Sequence, residues 1–400
     1  MRGVGRKGMA PSPPSPLRGG IEGGGSGLSL TLVDAVGTEP PPLTPPLKGE
    51  GKGSVRSVKS VGQLQALGLV EAGPALDEVA EKYAIAITPA VLDLIDANDP
   101  ADPIARQFVP DAAELVTTQE ERADPIGDLS HSPVTGIVHR YPDRVLLKPV
   151  HVCPVYCRFC FRREMVGPEG LGTLTAPELD AALAYIAAHA EIWEVILTGG
   201  DPMVLSPRRM EAIMRRLGAI EHVRVVRVHS RVPVVEPQRI DKDMVAALKA
   251  SGKTTYVAVH ANHPKEFSPA ARAALATLAD GGVVLVSQSV LLAGVNDDVE
   301  TLAALMRLFV ENRVTPYYLH HPDLAPGTGH FRVDIARGQA LVAGLRGRIS
   351  GLCQPIYVLD IPGGHGKADI GRASIAGADG CYTVRDWQGR DHAYPPVEGE

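Results

Sequence analysis

From Val145 onward the chain alternates short apolar runs with amphipathic segments at a spacing of roughly 30–35 residues, and this rhythm limits the fold more than any other feature. The apolar runs are Val145–Val152, Glu194–Leu197, Val223–Val228, Thr255–Val259, Val283–Ser287, Thr315–Leu319 and Pro355–Leu359. Between them, apolar residues at helical spacing predict helices over Pro177–His189, Pro207–Leu217, Lys242–Ser251, Pro269–Leu278, Val299–Glu311 and Asp334–Leu345. Near-continuous apolar strands joined by helices call for an α/β fold whose parallel sheet has right-handed crossovers and is covered on its helical face.

The polar residues fall into register with that pattern. Cys153 follows the first run, Gly199-Gly-Asp201 the second, His229-Ser-Arg231 the third, and His260 with Asn262-His-Pro264 the fourth. Gln288 follows the fifth, His320-His-Pro-Asp323 the sixth, and Asp360-Ile-Pro-Gly363 the last. Each sits at the C-terminal end of a strand, the face of a β/α barrel on which active sites are built. One such cluster could be a capping loop, but seven in register read as a site.

Composition narrows the classes. The formal charge of −6 gives no basic footprint for nucleic acid, and no apolar run approaches a membrane span. Leu28–Val36 is too short and interrupted for a secretory signal, so reduced, clustered thiols place the protein in the cytoplasm. Residues 1–55 are rich in Gly, Pro and Ser and read as a disordered leader, with a later start codon possible. Val61–Leu69, Leu76–Tyr83 and Pro89–Ile95 carry helical spacing. The expected organisation is leader 1–55, helical cap 56–130, barrel 131–370 and C-terminal extension 371–400.

Chemistry is concentrated in His151-Val-Cys-Pro-Val-Tyr-Cys-Arg-Phe-Cys160. This segment holds three of the five cysteines, Cys153, Cys157 and Cys160, as C-x3-C-x2-C. An odd number in so tight a loop cannot pair as disulfides. A structural zinc wants four ligands, and no partner pair follows at zinc-finger spacing. An iron–sulfur cube held by three cysteines keeps one iron open for a non-protein ligand. With Phe159 ahead of the last cysteine, the motif resembles the signature of radical S-adenosylmethionine (SAM) enzymes. In those enzymes the open iron of a [4Fe–4S] cluster chelates SAM and yields a 5′-deoxyadenosyl radical.

A second centre is Asp360-Ile-Pro-Gly-Gly-His-Gly-Lys367. The glycines allow close backbone approach, and Lys367 could form a covalent link to a carbonyl cofactor. The segment lacks the strand–loop–helix order and the Lys-Ser/Thr ending of a phosphate-binding P-loop. Taken together, Phe161-Arg-Arg163, Leu197-Thr-Gly-Gly-Asp201, Ser230-Arg-Val-Pro-Val-Val-Glu-Pro-Gln-Arg-Ile240, Asn262-His-Pro264, Leu291-Leu-Ala-Gly-Val-Asn-Asp297, Pro316-Tyr-Tyr318 and Pro362-Gly-Gly-His-Gly-Lys367 closely resemble the lysine 2,3-aminomutase family.

That resemblance covers about Val134 to Lys367. It implies a partial (β/α) barrel, a [4Fe–4S] cluster, SAM and pyridoxal 5′-phosphate, and migration of an amino group from the α to the β carbon of L-lysine. Lys367 would be the lysine joined to pyridoxal phosphate, and Arg140 and Arg144 would hold its phosphate. Gly199, Gly200, Asp201 and Phe159 would line the SAM pocket. Arg162 would clamp the substrate carboxylate with its guanidinium fork. Asp323 and Asp360 would read the side-chain ammonium, since a buried cation needs paired carboxylates. Arginine, or a role in modifying elongation factor P, are the nearest alternatives.

An electron donor such as flavodoxin or ferredoxin and a homo-oligomeric state are also implied. Asp298 stands where a zinc-binding cysteine would lie in some relatives, so no structural zinc is expected. Cys353 and Cys381 are read as inert thiols, and His365, in a loop that is commonly all glycine, as a solvent-facing residue.

Overall fold

The computed structural model describes residues 57–71, 73–166, 172–371, 374–378, 381–386 and 388–394, without the side chains of Ala378, Cys381 and Tyr394. The leader 1–55 lies outside the described residues. Short helices come first: α1 (Val61–Ala66), α2 (Pro74–Lys82), α3 (Pro89–Leu92) and α4 (Ala105–Phe108). A nine-stranded sheet follows, in which every strand pairs with its neighbours in the chain. Its strands are β1 (Ile137–Tyr141), β2 (Arg144–Val150), β3 (Glu194–Gly199), β4 (Val225–Ser230), β5 (Thr254–His260), β6 (Val284–Val290), β7 (Thr315–His320), β8 (Ile356–Ile361) and β9 (Gly366–Asp369).

β2 to β8 are parallel, whereas β1 and β9 fold back antiparallel on the two edges. The sheet curls until its edges approach: the Lys367 N–H on β9 donates to the Tyr141 hydroxyl on β1 at 2.8 Å. The result is a partial β/α barrel with helices around it. Beyond it, β10 (Ile375–Ala378), β11 (Cys381–Arg385) and β12 (Asp391–Tyr394) form a small antiparallel sheet.

The crossover helices begin where side-chain caps and prolines start them. α5 (Ala176–Ala188) has a capping box between Thr175 and Glu178. α6 (Pro207–Gly218) and α9 (Pro269–Asp280) start on Ser206 and Ser268 with proline in the first turn. α8 (Lys242–Lys249), α10 (Val299–Glu311) and α11 (Ile335–Ala343) are capped by Asp241, Asp298 and Asp334, while the short α7 (Val232–Val235) has no side-chain cap. Asp298 accepts from the Thr301 N–H at 2.8 Å, so its task is local. On the sheet face opposite the cavity, Leu147, Leu197, Val228, Val257 and Leu319 are fully buried in one core cluster with helix residues such as Ile186, Met210 and Leu248. Among the described residues no helix is long and apolar enough to cross a membrane.

Three expectations are corrected. The sequence reading had no β1, because the hairpin Ile137–Val150 interrupts its apolar run with His139, Arg140 and Tyr141. Lys367 is not on a flexible loop: it is ladder-paired with Asp360 in the β8–β9 hairpin. Asp360 therefore lies within β8, and His229, Ser230, His260, Gln288 and His320 are likewise strand residues. The parallel ladder runs on through them, with His229 opposite Ala258 and His260 opposite Gln288.

The glycine pair after β3 has a packing requirement of its own. Gly199 has φ +113°, and a Cβ on Gly200 would lie 2.3 Å from the Val152 carbonyl oxygen. The Gly200 N–H bonds Val150 O at 2.6 Å and the Asp201 N–H bonds Val152 O at 3.0 Å, which fixes the start of the cysteine loop. Gly200→Ala should push that loop away and destabilise the fold by about 1–3 kcal/mol. Thermal denaturation would show this as a lowered midpoint, and an unchanged midpoint would contradict it.

Candidate active site

The cysteine loop leaves β2 and is tied to the preceding short helices. The Tyr156 N–H bonds Ala86 O at 3.0 Å, and the Arg158 N–H bonds Gln107 O at 2.9 Å. Arg158, between the second and third cysteines, turns away from the barrel. Its fully buried guanidinium grips both Glu114 oxygens at 2.5–3.1 Å and Ala84 O at 2.9 Å. Arg163 bonds the same Glu114 as well as Arg158 O and Gly327 O. These anchors leave Cys153, Cys157 and Cys160 on the wall of one cavity of about 510 Å³.

Burial raises all three thiols, Cys160 to about 11, and Cys153 and Cys160 are raised further by neighbouring cysteines. Three mutually repelling sulfurs beside open volume suit a cationic iron cluster. Among the described residues no three His, Cys, Asp or Glu side chains converge on a single metal ion. Phe159 lines the cavity and packs tilted against His260 and edge-on to Phe331.

Gly199, Gly200 and Asp201 line the same cavity. Both Asp201 oxygens are taken by the protein: they accept from Met203 N, Ser230 Oγ, Arg231 N and Val232 N at 2.7–3.2 Å. Its side chain therefore holds the end of β4, and what this stretch leaves to a ligand is backbone.

The cationic wall is organised by Asp128, which the sequence reading missed. Its side chain is fully buried. One oxygen accepts from Arg140 Nη2 at 3.1 Å, and the other from Arg162 Nη2 at 3.0 Å with Lys148 Nζ at 3.9 Å. Burial alone would raise this carboxyl; Arg162 and Lys148, with Arg140, outweigh it and hold it below the usual range. Three cations around one anion leave the wall net positive, and Arg140 Nε is buried without a partner. A guanidinium with a buried free donor suits a phosphate oxygen.

Arg144 lies at the other end of β2, stacked 3.8 Å from the Tyr141 ring centre and paired with Asp143 at 2.6 Å. It lines the cavity as well, so the cavity runs along the strand rather than only across its C-terminal mouth. The one sequence hint of Asp128 was its place after Gly127 in an irregular turn. Gly127, at φ +69°, packs its Cα against the Gly363–Gly364 peptide of the lysine hairpin.

Opposite stand the acids and the lysine. Lys367 Nζ donates to both Asp360 oxygens at 2.6 Å, and His320 Nδ1 is 3.4 Å from Asp360 Oδ2. Burial would raise the Asp360 carboxyl, but His320 and Lys367 hold it far below the usual range. Asp323 is raised to about 7 by burial and then by the charge of Asp360, moderated by the positive charges of Lys367 and Arg162. His229, His260 and His320 also line the cavity. Burial keeps all three imidazoles neutral, and their Nε2 atoms have no partner. Every candidate residue named from the sequence thus reaches one cavity.

Residues 147–306, from within β2 to within α10, match the family model described as the radical SAM superfamily. With the barrel and the cysteine loop, this defines a radical SAM enzyme. The L-lysine 2,3-aminomutase of Acetoanaerobium sticklandii is 43% identical over 286 residues, 72% of this chain and 69% of that one. The L-lysine 2,3-aminomutase of Clostridium subterminale is 43% identical over 293 residues, 73% of this chain and 70% of the other. The glutamate 2,3-aminomutase of Clostridioides difficile is 34% identical over 316 residues, 79% and 74% of the two chains. The chain belongs to the lysine 2,3-aminomutase family and is an isomerase.

Removing Asp128 leaves three buried cations without their shared anion. Asp128→Ala should cost about 3–5 kcal/mol, read from denaturant unfolding. Because its folded pKa is depressed, the stability it contributes is present above the ordinary carboxylate range and is lost as pH falls through the folded value. A variant as stable as the parent at neutral pH would contradict this.

Proposed function

We propose that this protein is an L-lysine 2,3-aminomutase, interconverting L-lysine and L-β-lysine. The observation that carries the reading is the single cavity that gathers three cysteines, Lys367, a cationic wall at Arg162 and two acids at Asp323 and Asp360. When bound, a [4Fe–4S] cluster with SAM and pyridoxal phosphate supply the radical 1,2-shift of an amino group.

The chain's own residues bind and orient. Cys153, Cys157 and Cys160 hold the cluster, and Gly199, Gly200, Asp201 and Phe159 border SAM. Arg140 and Arg144 bind the phosphate of pyridoxal phosphate. Arg162, aligned by Asp128, takes the substrate carboxylate in its planar fork.

Lys367 would hold a carbonyl cofactor covalently, and its nitrogen would then no longer be the ammonium that pairs with Asp360. Asp360 is then free, with Asp323, to take the substrate's side-chain ammonium. The neutral histidines add no positive charge to a pocket that must accept a cation. Enclosure by the barrel excludes water from reactive carbon centres. An external one-electron donor such as flavodoxin or ferredoxin, a cytoplasmic setting and a homo-oligomer complete the proposal.

Anaerobic reconstitution with iron, sulfide, SAM, pyridoxal phosphate and a strong reductant, followed by product analysis, tests it. Lysine should give β-lysine, while glutamate and arginine should give little product. Turnover of glutamate in preference to lysine would overturn the substrate assignment.

The pH dependence is a separate check. Asp323 is raised to about 7, so it is protonated and unable to attract an ammonium below that pH. The apparent KM for lysine should rise about tenfold per unit of pH below about 7. Asp323→Asn should abolish this limb and weaken lysine by roughly 3–5 kcal/mol. A parent KM that is flat across this range would contradict the role of Asp323.

A further inference from the structure

Arg231 has no task in the chemistry above, yet it is among the most tightly held side chains in the barrel. It follows β4, and its residue is 5% exposed. Nη2 donates to Gln107 Oε1 at 2.6 Å and to Glu266 Oε2 at 2.9 Å. The guanidinium lies 4.5 Å from the ring centre of Phe108 and 5.3 Å from that of Phe159. The Arg231 N–H is fixed by Asp201 at 2.7 Å. Glu266 is itself immobilised, because its other oxygen accepts from the Asn262 and His263 N–H groups at 2.8 and 3.0 Å.

Nε is buried without a partner, and Nη1 donates to Cys157 Sγ at 2.8 Å. Among the described residues no other cysteine sulfur accepts a side-chain hydrogen bond. Stability alone does not account for this arrangement. The pair with Glu266 would be complete without the sulfur, and a buried ion pair seldom stabilises more than well-packed apolar residues of the same volume. The framework sets a positive charge, through a directed N–H, against one of the three thiolates proposed to hold the cluster.

We propose that Arg231 is a positioning residue that sets the reduction potential of the cluster through Cys157. This rests on the reading that Cys153, Cys157 and Cys160 hold a [4Fe–4S] cluster. Reduction adds one electron from an external donor and no proton, so the cluster and its thiolates become one unit more negative. A cation and an N–H donor on a ligand sulfur favour that more negative form, and hydrogen bonds to cluster sulfurs are a recognised lever on potential. Glu266 opposes the effect: its negative charge behind the guanidinium tempers the field at the sulfur. The two residues therefore push the potential in opposite directions.

The test is a redox titration of the reconstituted full chain without SAM, followed by electron paramagnetic resonance, with iron content measured alongside. Arg231→Gln should lower the ratio of reduced to oxidised cluster at a fixed solution potential by about tenfold, a downward shift of ~59 mV for one electron. Glu266→Gln should shift the potential upward. Arg231→Lys, which keeps the charge but loses the fork, should fall between Arg231→Gln and the parent. If Arg231→Gln fails to hold iron, an upward shift of Glu266→Gln and a downward shift of Arg231→Lys relative to the parent decide the matter. Variants that titrate like the parent, or shifts of both Arg231 and Glu266 variants in one direction, overturn the proposal. A parent that takes up no cluster would instead overturn the cysteine reading.

Discussion

The carboxylate of Asp128 is the interaction on which the site's architecture depends. It stands between Arg140 on β1 and Arg162 of the cysteine loop, with Lys148 of β2 beside it. Without an anion there, three cations on one dry wall would be left uncompensated and the fold weakened by several kcal/mol, on the order of 3–5. With it, two guanidiniums that line the cavity are held in place. The same turn places Gly127 against the lysine hairpin. One short segment thereby ties together Arg140, Arg162 and the lysine hairpin.

Charge is sorted across the cavity. Arg140 and Arg162, held with Lys148 by Asp128, form one group, and Asp323, Asp360 and Lys367 another, with three neutral histidines lining the cavity as well. A zwitterionic amino acid with a cationic side chain complements that pattern: its carboxylate meets the arginines and its distal ammonium meets the acids. An acidic side chain would meet Asp323 and Asp360 with like charge. Beneath the cysteine loop, Glu114 with Arg158 and Arg163, and Glu266 with Arg231, form two further buried ionic networks. These networks set the loop geometry where helix and strand propensities do not reach.

Much of this was legible in the sequence because it is local. The parallel strands and the crossover helices follow from apolar periodicity, and the cysteines and Lys367 stand out by type and spacing. The edge strands β1 and β9 did not, since each is short, polar and defined by a partner rather than by its own pattern. Asp128 was missed for the same reason, and Arg231 was noted only as part of the cluster after the third apolar run, without its partners. Arg231 stands 124 residues from Gln107 and 74 from Cys157, and no periodicity connects them. Asp360 was recognised, but its bond to Lys367 depends on the antiparallel register of the β8–β9 hairpin. The glycines after β3 read as ligand-facing, and the structure adds a packing reason for them.

The central claim is that Lys367, delivered by that hairpin into the cavity of the three cysteines, is the residue that carries the carbonyl cofactor. Borohydride reduction of the full chain loaded with pyridoxal phosphate, followed by peptide mass mapping, addresses it directly. The account predicts one stable pyridoxyl adduct, on Lys367, in the peptide that includes Gly366 and Ala368. An adduct on another lysine, or none, would contradict it.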